Sequence, residues 1–517
     1  MKKILYTFLG LGAMLATSCS MDLEPVGTIL ESNAVTGIKD CEMFRNGFYG
    51  QMRTLASGSY IYNTSIQMDD FIGTIINGNR LGTLNNGTIL SNDGGIESNW
   101  GGLYGGIASV NFFLDRTKDL TFDSAEDQQA YDRYVAEARF TRAYFYWWLL
   151  DHFCPAYTDA NKDQLLGLAI VDKYNPTSDK STYPGRSSIA ATYKFIEDDL
   201  EGAYTGLKKY EDALTTTERA ALVKPMAEYV CSWTVRALQS RLALLKGDYK
   251  TARDYAEEVI ASNVYTLSTR DKYAAMWTSD TNSEIIFRPI STNQELGLGS
   301  TGTAWIAASS YLADYIPVPY VATSGTSTET SLYQRLDIRY TTFIGERTLL
   351  VDGTFVKAPA FVKYPGNPAL QQTSMNNLLN MPKPFRLSEL YLISAEASYM
   401  LSDFGQANTR LDDLRKNRIS RYTTTTYAGE KLRDEIRLER RRELIGEGFR
   451  MSDLRRWKVG FNRADVNYLA YPQAGDITVA AGRSVVYQPD DHRYVWPIPS
   501  AELQVNPQMA GQQNPGY

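Results

Sequence analysis

The stretch YDRYVAEARFTRAYFYWWLL, residues 131–150, carries two sets of mostly apolar residues along one predicted helix. Both sets advance by four and three residues in turn, the spacing that aligns side chains on one helical face. The first set is Tyr134, Ala138, Thr141, Phe145 and Trp148, and the second is Ala136, Phe140, Ala143, Trp147 and Leu150. A helix with two apolar faces must be covered on both sides, so this helix is predicted to be buried. IAATYKFIEDDLEGAYTGL, 189–207, is its predicted antiparallel partner.

Two further segments predict helix pairs. In 233–262, the turn Gly247-Asp248-Tyr249 is followed by small and apolar residues at helical spacing, which resembles a tetratricopeptide unit. Segment 387–418 repeats the pattern with Asp403-Phe404-Gly405 in the turn. The repeat period is lost between these segments, so the units are interrupted along the chain. Together the pairs predict a mainly α protein.

Two long segments interrupt the helical pattern. Residues 77–106 hold nine glycines and six asparagines, so we expect turns, short hairpins and loop there. Residues 295–330 are rich in Gly, Ser and Thr but also contain Trp305 and Tyr311. Long loops in compact proteins are frequently functional, and aromatic side chains argue against disorder.

The N-terminal stretch MKKILYTFLGLGAMLATSCSMDLEP, 1–25, is typical of an exported protein. Two lysines precede an apolar core, Ile4–Ala16, that is too short to span a bilayer. Small residues before Cys19 look like a bacterial lipobox, which predicts a signal peptide over 1–18 and a lipidated tether over 19–25. The alternative is a simple secretory signal without lipid. Several acyl chains on Cys19 would hold the protein firmly to a membrane.

Composition excludes several function classes. The formal charge is -6 and the chain is predicted to be exported, so nucleic acid is not an expected partner. Two histidines leave little for a histidine-based metal site or a Ser-His triad. Besides Cys19, three widely spaced cysteines remain, an odd number that does not indicate a disulfide framework. Tyrosine is abundant, with 35 residues that can present flat apolar rings to water.

The stretch ERRRELIGEGFRMSDLRRW, 439–457, packs six arginines into nineteen positions. One interpretation is a helix and turn held by ion pairs, ended by Gly446 and Gly448. The other interpretation is a site for an anionic ligand. We favour the first, with opposite charges paired three residues apart on the helix. The predicted pairs are Asp434 with Arg437, Glu439 with Arg442, and Arg440 with Glu443.

Seven segments together resemble the SusD/RagB family of outer-membrane lipoproteins of the Bacteroidota. They occur in the family's order and run almost from end to end. The segments are CSMDLEP (19–25), NWGGLYGGIASVNFFL (99–114), AEARFTRAYFYWWLL (136–150), RSSIAATYKFIEDDLEGA (186–203), FRLSELYLISAEASY (385–399), VWPIPSAEL (495–503) and QNPGY (513–517). The arginine-rich stretch also matches. DHFCPAY, 151–157, departs from the pattern because the family more often has a glycine before the proline, which puts the local turn in doubt.

The resemblance implies a SusD-like fold, with tetratricopeptide-like helix pairs supporting a loop-rich irregular region and a few short strands. It implies one domain over 26–517. This domain would comprise a helical half, 26–265, a loop-rich insertion, 266–384, and C-terminal helices and tail, 385–517. Family members bind glycans or other nutrients at the cell surface and cap a SusC-like TonB-dependent transporter. The resemblance therefore implies an oligosaccharide or polysaccharide ligand, a transporter partner and no catalytic residues. We assign no metal-binding residues and expect no cofactor.

A sugar site needs exposed aromatic rings and planar polar side chains that make paired hydrogen bonds. The two long loops supply the candidates, in regions where relatives place parts of their sites. For Trp100 the alternative is a core position, whereas Trp305 is expected to be exposed. The candidate ligand-binding residues are Asp70, Arg80, Asn99, Trp100, Trp305 and Tyr311.

Two other functions remain open from the sequence. A tetratricopeptide-type envelope scaffold would bind protein partners through its helices, and the aromatic loops would have no role. A glycoside hydrolase would need two carboxylates at a fixed separation, one with a raised pKa. With 59 acidic residues such a pair cannot be ruled in or out by composition, but no recognisable catalytic motif supports it.

Overall fold

The structure is a computed structural model, and it describes residues 34–73, 81–223, 228–305, 315–317, 333, 336–351, 354–373, 377–463 and 485–517. The predicted signal peptide and Cys19 lie outside these residues. Within the described ranges, none of the helices combines the length and apolar character needed to cross a membrane.

Helices dominate the described residues. They are α1 Ile38–Leu55, α2 Ser59–Gln67, α3 Gly82–Asn86, α4 Gly94–Thr117, α5 Ala125–Phe153, α6 Ile189–Ala213, α7 Thr216–Val223, α8 Ser232–Lys246, α9 Tyr249–Ala261, α10 Arg270–Tyr273, α11 Ala275–Thr278, α12 Ile338–Phe343, α13 Leu387–Met400, α14 Phe404–Lys416, α15 Gly429–Leu444, α16 Arg450–Trp457 and α17 Ser500–Val505. Short 3₁₀ turns occur at Lys180–Thr182, Gly302–Ala304, Pro368–Leu370, His492–Tyr494 and Pro507–Met509. The mainly α prediction is confirmed.

The strands form small antiparallel ladders of two strands each. They are β1 Phe71–Gly73, β2 Leu166–Ala169, β3 Arg186–Ser188, β4 Ile285–Phe287, β5 Tyr315–Pro317, β6 Ile344–Val351, β7 Thr354–Phe361, β8 Phe385–Arg386, β9 Phe461–Asn462 and β10 Val486–Tyr487. The pairs are β1 with β5, β2 with β3, β4 with β8, β6 with β7, and β9 with β10. Two of these ladders, β1–β5 and β4–β8, join segments far apart in sequence.

The long helix α5 forms the centre of the main core. Its N-terminus is capped by Ser124, whose Oγ accepts from the Asp127 N–H at 3.0 Å. Almost every side chain from Tyr134 to Phe153 is buried, which confirms the two-faced helix predicted for this stretch. Helix α6 packs along it, as expected for 189–207. The first helix pair is therefore set by its own apolar pattern.

The two tetratricopeptide-like pairs are formed as predicted, by α8 with α9 and by α13 with α14. In each pair an aspartate caps the second helix. Asp248 accepts from the Thr251 N–H and Asp403 accepts from the Gln406 N–H, both at 3.1 Å. Helix α13 packs directly against α9. The units that are separated along the chain are thus consecutive in space, because α13 covers the apolar face that α9 leaves open.

The prediction of turns and loop over 77–106 is wrong from Gly94 onward, where α4 begins. Asp93 caps α4 by accepting from the Gly95 and Ile96 N–H groups. The apolar residues of α4 recur at helical spacing and are buried. They are Ile96, Trp100, Leu103 and Ile107.

Two glycines of α4, Gly102 and Gly106, serve helix packing rather than turns. A Cβ on Gly102 would lie 2.4 Å from the Tyr60 hydroxyl, and one on Gly106 would lie 2.6 Å from the Phe145 ring. These positions admit only glycine without a shift of the neighbouring rings. Close approach explains a glycine content that resembles loop composition.

A second, smaller core lies beneath the irregular region. It is built around Trp277 and Trp305, both with almost no exposed surface, and it includes Phe71 of β1 and Phe361 of β7. Trp305 packs against the Phe71 ring at 5.3 Å and the Phe361 ring at 4.9 Å. This aromatic core gives the loops a rigid base.

Candidate ligand-binding region

The six arginines of 439–457 are all paired with carboxylates. Four of them, Arg441, Arg450, Arg455 and Arg456, bridge to distant segments, and the other two pair with nearby residues of 439–457. The pairs are Arg440 with Asp453 at 2.8 Å, Arg441 with Asp70 at 2.8 Å, Arg442 with Glu439 at 3.3 Å, Arg450 with Asp69 at 2.7 Å, Arg455 with Asp151 at 2.9 Å, and Arg456 with Asp453 at 2.9 Å and with Glu396. None of the six is left over for an anionic ligand. The scaffold interpretation of this stretch therefore fits its geometry.

The predicted local pairing is correct only in part. Glu439 and Arg442 form their pair three residues apart. Arg440 instead turns to Asp453 on α16, and Glu443 turns to arginines outside its helix. Both residues are buried, so the tertiary partners replace the helical neighbour that an exposed side chain would use.

Glu443 lies at the centre of a buried charge cluster. Its carboxylate accepts hydrogen bonds from Arg339, Arg386 and Arg418 at 3.0–3.1 Å. The cluster joins six parts of the chain. They are the residue before β4, the start of α12, the residues after β7, strand β8, the residues after α14, and the end of α15. Its members are Glu284, Asp337, Arg339, Lys363, Arg386, Arg418, Glu439, Glu443 and Glu447.

Neighbouring cations lower the pKa of Glu439, Glu443 and Glu447 in the cluster. Burial alone would raise the pKa of Glu443, but the guanidinium groups of Arg418, Arg386 and Arg339 outweigh it and hold the pKa well below its ordinary value. Burial lowers the pKa of the Lys363 ammonium to about 8, against the attraction of Glu447. The cluster therefore joins the loops to α15 through buried ion pairs.

Most of this cluster was not identified from the sequence. Glu284, Arg339 and Lys363 are single charged residues in irregular segments, with no spacing that relates them to 439–457. Only the crowding of arginines on α15 and α16 indicated that carboxylate partners must exist. Those partners lie too far away along the chain to be identified from residue spacing.

Asp70 is buried against α15. Its Oδ1 accepts from Arg441 Nε at 2.8 Å, and the adjacent Asp69 accepts from Arg450 at 2.7 Å. Burial raises the pKa of the Asp70 carboxyl, and the charge of Asp69 adds to that effect. Arg441 and Arg450 instead overcome burial at Asp69 and lower its pKa. Asp70 is therefore part of the support beneath the irregular region and does not face a ligand.

The expectation that Trp305 is exposed is wrong. The side chain is 0% exposed, and its ring stacks on Tyr364 with centroids 5.7 Å apart and planes at 10°. Aromatic neighbours from β1, β7 and α2 surround it, so burying the large ring contributes more than exposing it. Sequence alone did not reveal these neighbours, because they come from segments far from the loop.

Asn99 and Trp100 also lie in the interior, on α4. Trp100 is 4% exposed, and its Nε1–H donates to Glu502 at 3.3 Å. Asn99 is 1% exposed and accepts from the Ser59 hydroxyl at 3.2 Å. The core alternative for Trp100 is therefore the correct one. These two residues belong to the main core, whereas Asp70 and Trp305 meet at the second core through Phe71.

Arg80 and Tyr311 lie outside the described residues, but the chain on either side of each is fixed. In the β1–β5 ladder, Gly73 is opposite Tyr315 and Phe71 is opposite Pro317. The chain that continues from Gly73 and the chain that leads into Tyr315 are therefore joined to the same end of the ladder. Phe71, whose ring packs against Trp305, lies at the opposite end of this short ladder.

A partly open pocket lies between α5 and the second core, with a volume of about 50 Å³. Trp147, His152 and Trp277 line it, and each has a buried ring nitrogen without a hydrogen-bond partner among the described residues. This volume is sufficient for water molecules. Among the residues that the structure describes, no group of His, Cys, Asp and Glu is arranged to hold a metal ion.

Comparison with known proteins identifies the fold and the family. The profile of the SusD family matches residues 359–517, and a profile described as starch-binding associating with outer membrane matches residues 45–223. The chain belongs to the SusD/RagB family. The two matches cover both the α4–α6 helices and the arginine-rich stretch with its C-terminal tail. No curated protein matches the chain in sequence.

Solved SusD-like proteins share the fold over almost the whole chain. A SusD superfamily protein from Bacteroides thetaiotaomicron is 23% identical, with 93% of this chain and 100% of that one covered and a TM-score of 0.71. A SusD-like carbohydrate binding protein from Bacteroides vulgatus is 20% identical, with 92% and 98% covered and a TM-score of 0.69. A laminarin binding SusD-like protein is 20% identical, with 93% and 100% covered and a TM-score of 0.61.

Proposed function

We propose that this chain is a surface-exposed lipoprotein that binds an oligosaccharide and delivers it to a SusC-like TonB-dependent transporter in the outer membrane. The observation that carries the proposal is membership of the SusD/RagB family, with profile matches in both halves of the chain. Two proteins of the same fold are described as carbohydrate binding and laminarin binding. The predicted lipobox at Cys19 supports the membrane anchor.

We assign Arg80 and Tyr311 to the proposed ligand site. The segment that carries Arg80 follows Gly73 and the segment that carries Tyr311 precedes Tyr315, and these two described residues are paired in the β1–β5 ladder. Arg80 supplies a planar, bidentate hydrogen-bond donor, and Tyr311 supplies a ring for a sugar face. The buried Asp70 and Trp305 act beneath the site as rigid support.

Binding at such a site is moderate and reversible. Each hydrogen bond to a sugar hydroxyl replaces one to water, so its net contribution is only about 0.5–1.5 kcal/mol. A protein that delivers its ligand to a transporter must both bind and release it. A small net free energy per hydrogen bond allows both steps.

The first test compares purified full-length protein with two variants, Arg80→Ala and Tyr311→Ala. Laminarin, soluble starch and a panel of other oligosaccharides are titrated by calorimetry. We expect one or more ligands to bind wild type, and each variant to bind about 3- to 10-fold more weakly at an unchanged melting temperature. Tyr229→Ala is the control for loss of a surface tyrosine; the Tyr229 side chain is 37% exposed and packs on Tyr49 and Arg45, so its melting temperature is measured beside its affinity. Equal affinity in all four proteins would remove Arg80 and Tyr311 from the site.

Two further results separate the alternative functions. A SusC-like barrel that co-purifies with the detergent-solubilised protein would support the transporter partner, whereas peptide partners alone would favour the envelope scaffold. Incubation with the bound oligosaccharide should leave it chemically unchanged. Product formation that one carboxylate substitution abolishes would favour the hydrolase.

A further inference from the structure

A surface groove with a volume of about 590 Å³ lies on the side of the molecule where α4 ends. It is bounded by the last turn of α4 and by the loop 170–184 that follows β2. The volume falls within the range of about 300–1,000 Å³ that small-molecule sites in proteins occupy. This groove is not part of the proposed transport site, so its structure needs a separate explanation.

Buried polar side chains fix the first part of the groove loop. Asn111 Nδ2 donates to the Val171 carbonyl at 2.8 Å, and the Val171 N–H donates to the Tyr146 hydroxyl at 2.8 Å. Arg142 donates to the Asp172 carbonyl at 3.2 Å, while its remaining N–H groups form a buried bidentate pair with Asp199 at 2.7 and 2.8 Å. Such buried charges stabilise a fold little by themselves, but they specify one loop conformation.

The far part of the loop is held in the same way. The Tyr174 N–H donates to Asp115 Oδ2 at 2.7 Å, and the Tyr183 hydroxyl donates to the Thr177 carbonyl at 3.1 Å. Asn506 from the C-terminal tail donates to the Pro184 carbonyl at 2.9 Å. The groove is therefore already formed before any ligand arrives, which removes the ordering penalty that a mobile loop imposes on binding.

Two half-buried tyrosines line the groove with fixed rings. The Tyr174 ring meets the Phe112 ring edge to face at 4.9 Å, and Arg116 lies over it at 6.0 Å. The hydroxyl bond of Tyr183 restrains the second ring. Rigid rings of this kind offer flat apolar faces at little entropic penalty.

Planar and charged polar groups surround these rings. Asp115, Asp172 and Asn175 supply carboxylate and amide groups that can form paired hydrogen bonds, and Lys118 and Lys173 supply further donors. Flat rings beside paired polar groups match the C–H faces and dense hydroxyls of a sugar chain.

We propose that the groove between the end of α4 and loop 170–184 is a second oligosaccharide-binding site, centred on Tyr174 and Tyr183. The ligand class rests on the proposed function, whereas the site itself is independent of Arg80 and Tyr311.

The test uses affinity electrophoresis of the full-length protein in gels that contain laminarin or soluble starch. Three forms are compared with wild type: Tyr174→Ala/Tyr183→Ala, Arg80→Ala/Tyr311→Ala, and the quadruple variant. We expect each double variant to keep part of the retardation and the quadruple variant to lose it. Each ring lost should weaken binding about 3- to 10-fold. Tyr229→Ala serves again as the control for an exposed tyrosine.

A second measurement protects the test against misfolding. Hydrogen exchange is followed in the Arg80→Ala/Tyr311→Ala variant, whose groove is intact, with and without the polysaccharide that retards it. Amides of 170–184 should exchange more slowly with ligand present. The variant Tyr174→Phe should bind like wild type because it keeps the ring, and Tyr183→Phe should bind more weakly because it also removes the hydroxyl bond to Thr177. Asp172→Ala/Asn175→Ala should bind more weakly because it removes exposed polar groups.

The outcomes separate the two proposals. If Arg80→Ala/Tyr311→Ala abolishes retardation and the groove variant matches wild type, the second site is refuted and the transport site stands. If only the groove variant loses binding, the second site stands and the transport site is refuted. If no polysaccharide retards wild type and none slows exchange in 170–184, both are refuted.

Discussion

Replacing Glu443 by glutamine tests whether the buried charge cluster holds the irregular region to the helices. The substitution keeps the side-chain shape and removes one charge. In wild type, Oε1 accepts from Arg386, Arg418 and Tyr273, and Oε2 accepts from Arg339 and Arg418. In the variant, the amide NH₂ replaces one of these oxygens and faces the same guanidinium groups.

The expected loss follows from the bonds that the amide cannot accept. At least two hydrogen bonds from guanidinium groups disappear, each contributing about 1.5–3 kcal/mol. Glu443 is also the shared carboxylate partner of Arg339, Arg386 and Arg418, and breaking a buried ion pair costs about 3–5 kcal/mol. Because these two figures describe the same loss, we expect Glu443→Gln to lower the free energy of unfolding by about 3–5 kcal/mol.

The assay is urea denaturation at pH 7, followed by tryptophan fluorescence and circular dichroism. Glu430→Gln is the matched control on the same helix, since its side chain is 83% exposed and its pair with Arg433 is 3.5 Å long. The control should change the free energy of unfolding by less than about 0.5 kcal/mol.

The pH dependence provides an independent check of the charge. The folded-state pKa of Glu443 lies well below its ordinary value, so its stabilising effect is present above the unfolded pKa of about 4.3 and is lost as the pH falls. The stability gap between wild type and Glu443→Gln should therefore narrow below about pH 4.3. A loss under about 1 kcal/mol at pH 7, or a gap that stays constant on acidification, would refute the reasoning.

Three further substitutions test the core, the interior histidine and the anchor. Trp305→Ala should lower the free energy of unfolding by about 3–5 kcal/mol, measured by denaturation, because the ring is fully buried. An unchanged melting temperature would indicate that the Trp305 side chain is exposed. Burial lowers the pKa of His152 to about 4, so the unfolded chain takes up its proton first and wild type loses stability on acidification. The free energy of unfolding of wild type, relative to that of His152→Gln, should fall by about 1.4 kcal/mol per pH unit between about pH 6.5 and 4. Melting temperatures that change in parallel with pH in the two proteins would contradict this expectation. Cys19→Ala should move the protein from the outer-membrane fraction to the soluble fraction, and retention of the variant in membranes would contradict the lipobox.

The helices that were predicted correctly are those whose signals are local. The apolar spacing of 131–150 and the aspartates of the two helix-pair turns act within a few residues. Helix α4 was missed because its glycines lower helix propensity, and the reason for them lies on other helices, at Tyr60 and Phe145. The local sequence pattern predicted a helix correctly only where packing against distant residues did not override it.

The candidate site divides along the same line. The sequence identified the loops and the arginine-rich stretch as unusual, but four of the six candidate residues are buried. An aromatic residue in a Gly/Ser/Thr-rich loop has the same local sequence whether its ring faces water or a core. Exposure depends on partners such as Phe71 and Phe361, which lie far away along the chain.

The sequence by itself determined the helical class, the helix pairs and the family resemblance, because periodicity, caps and motif order are properties of short segments. Only the tertiary structure decided that α13 follows α9 in space and that the arginines of 439–457 are paired with carboxylates. It also decided that Trp305 is interior and that Tyr174 and Tyr183 share one groove. Each of these features depends on which distant segments pack together. That packing is determined by the free energy of burial summed over the whole chain.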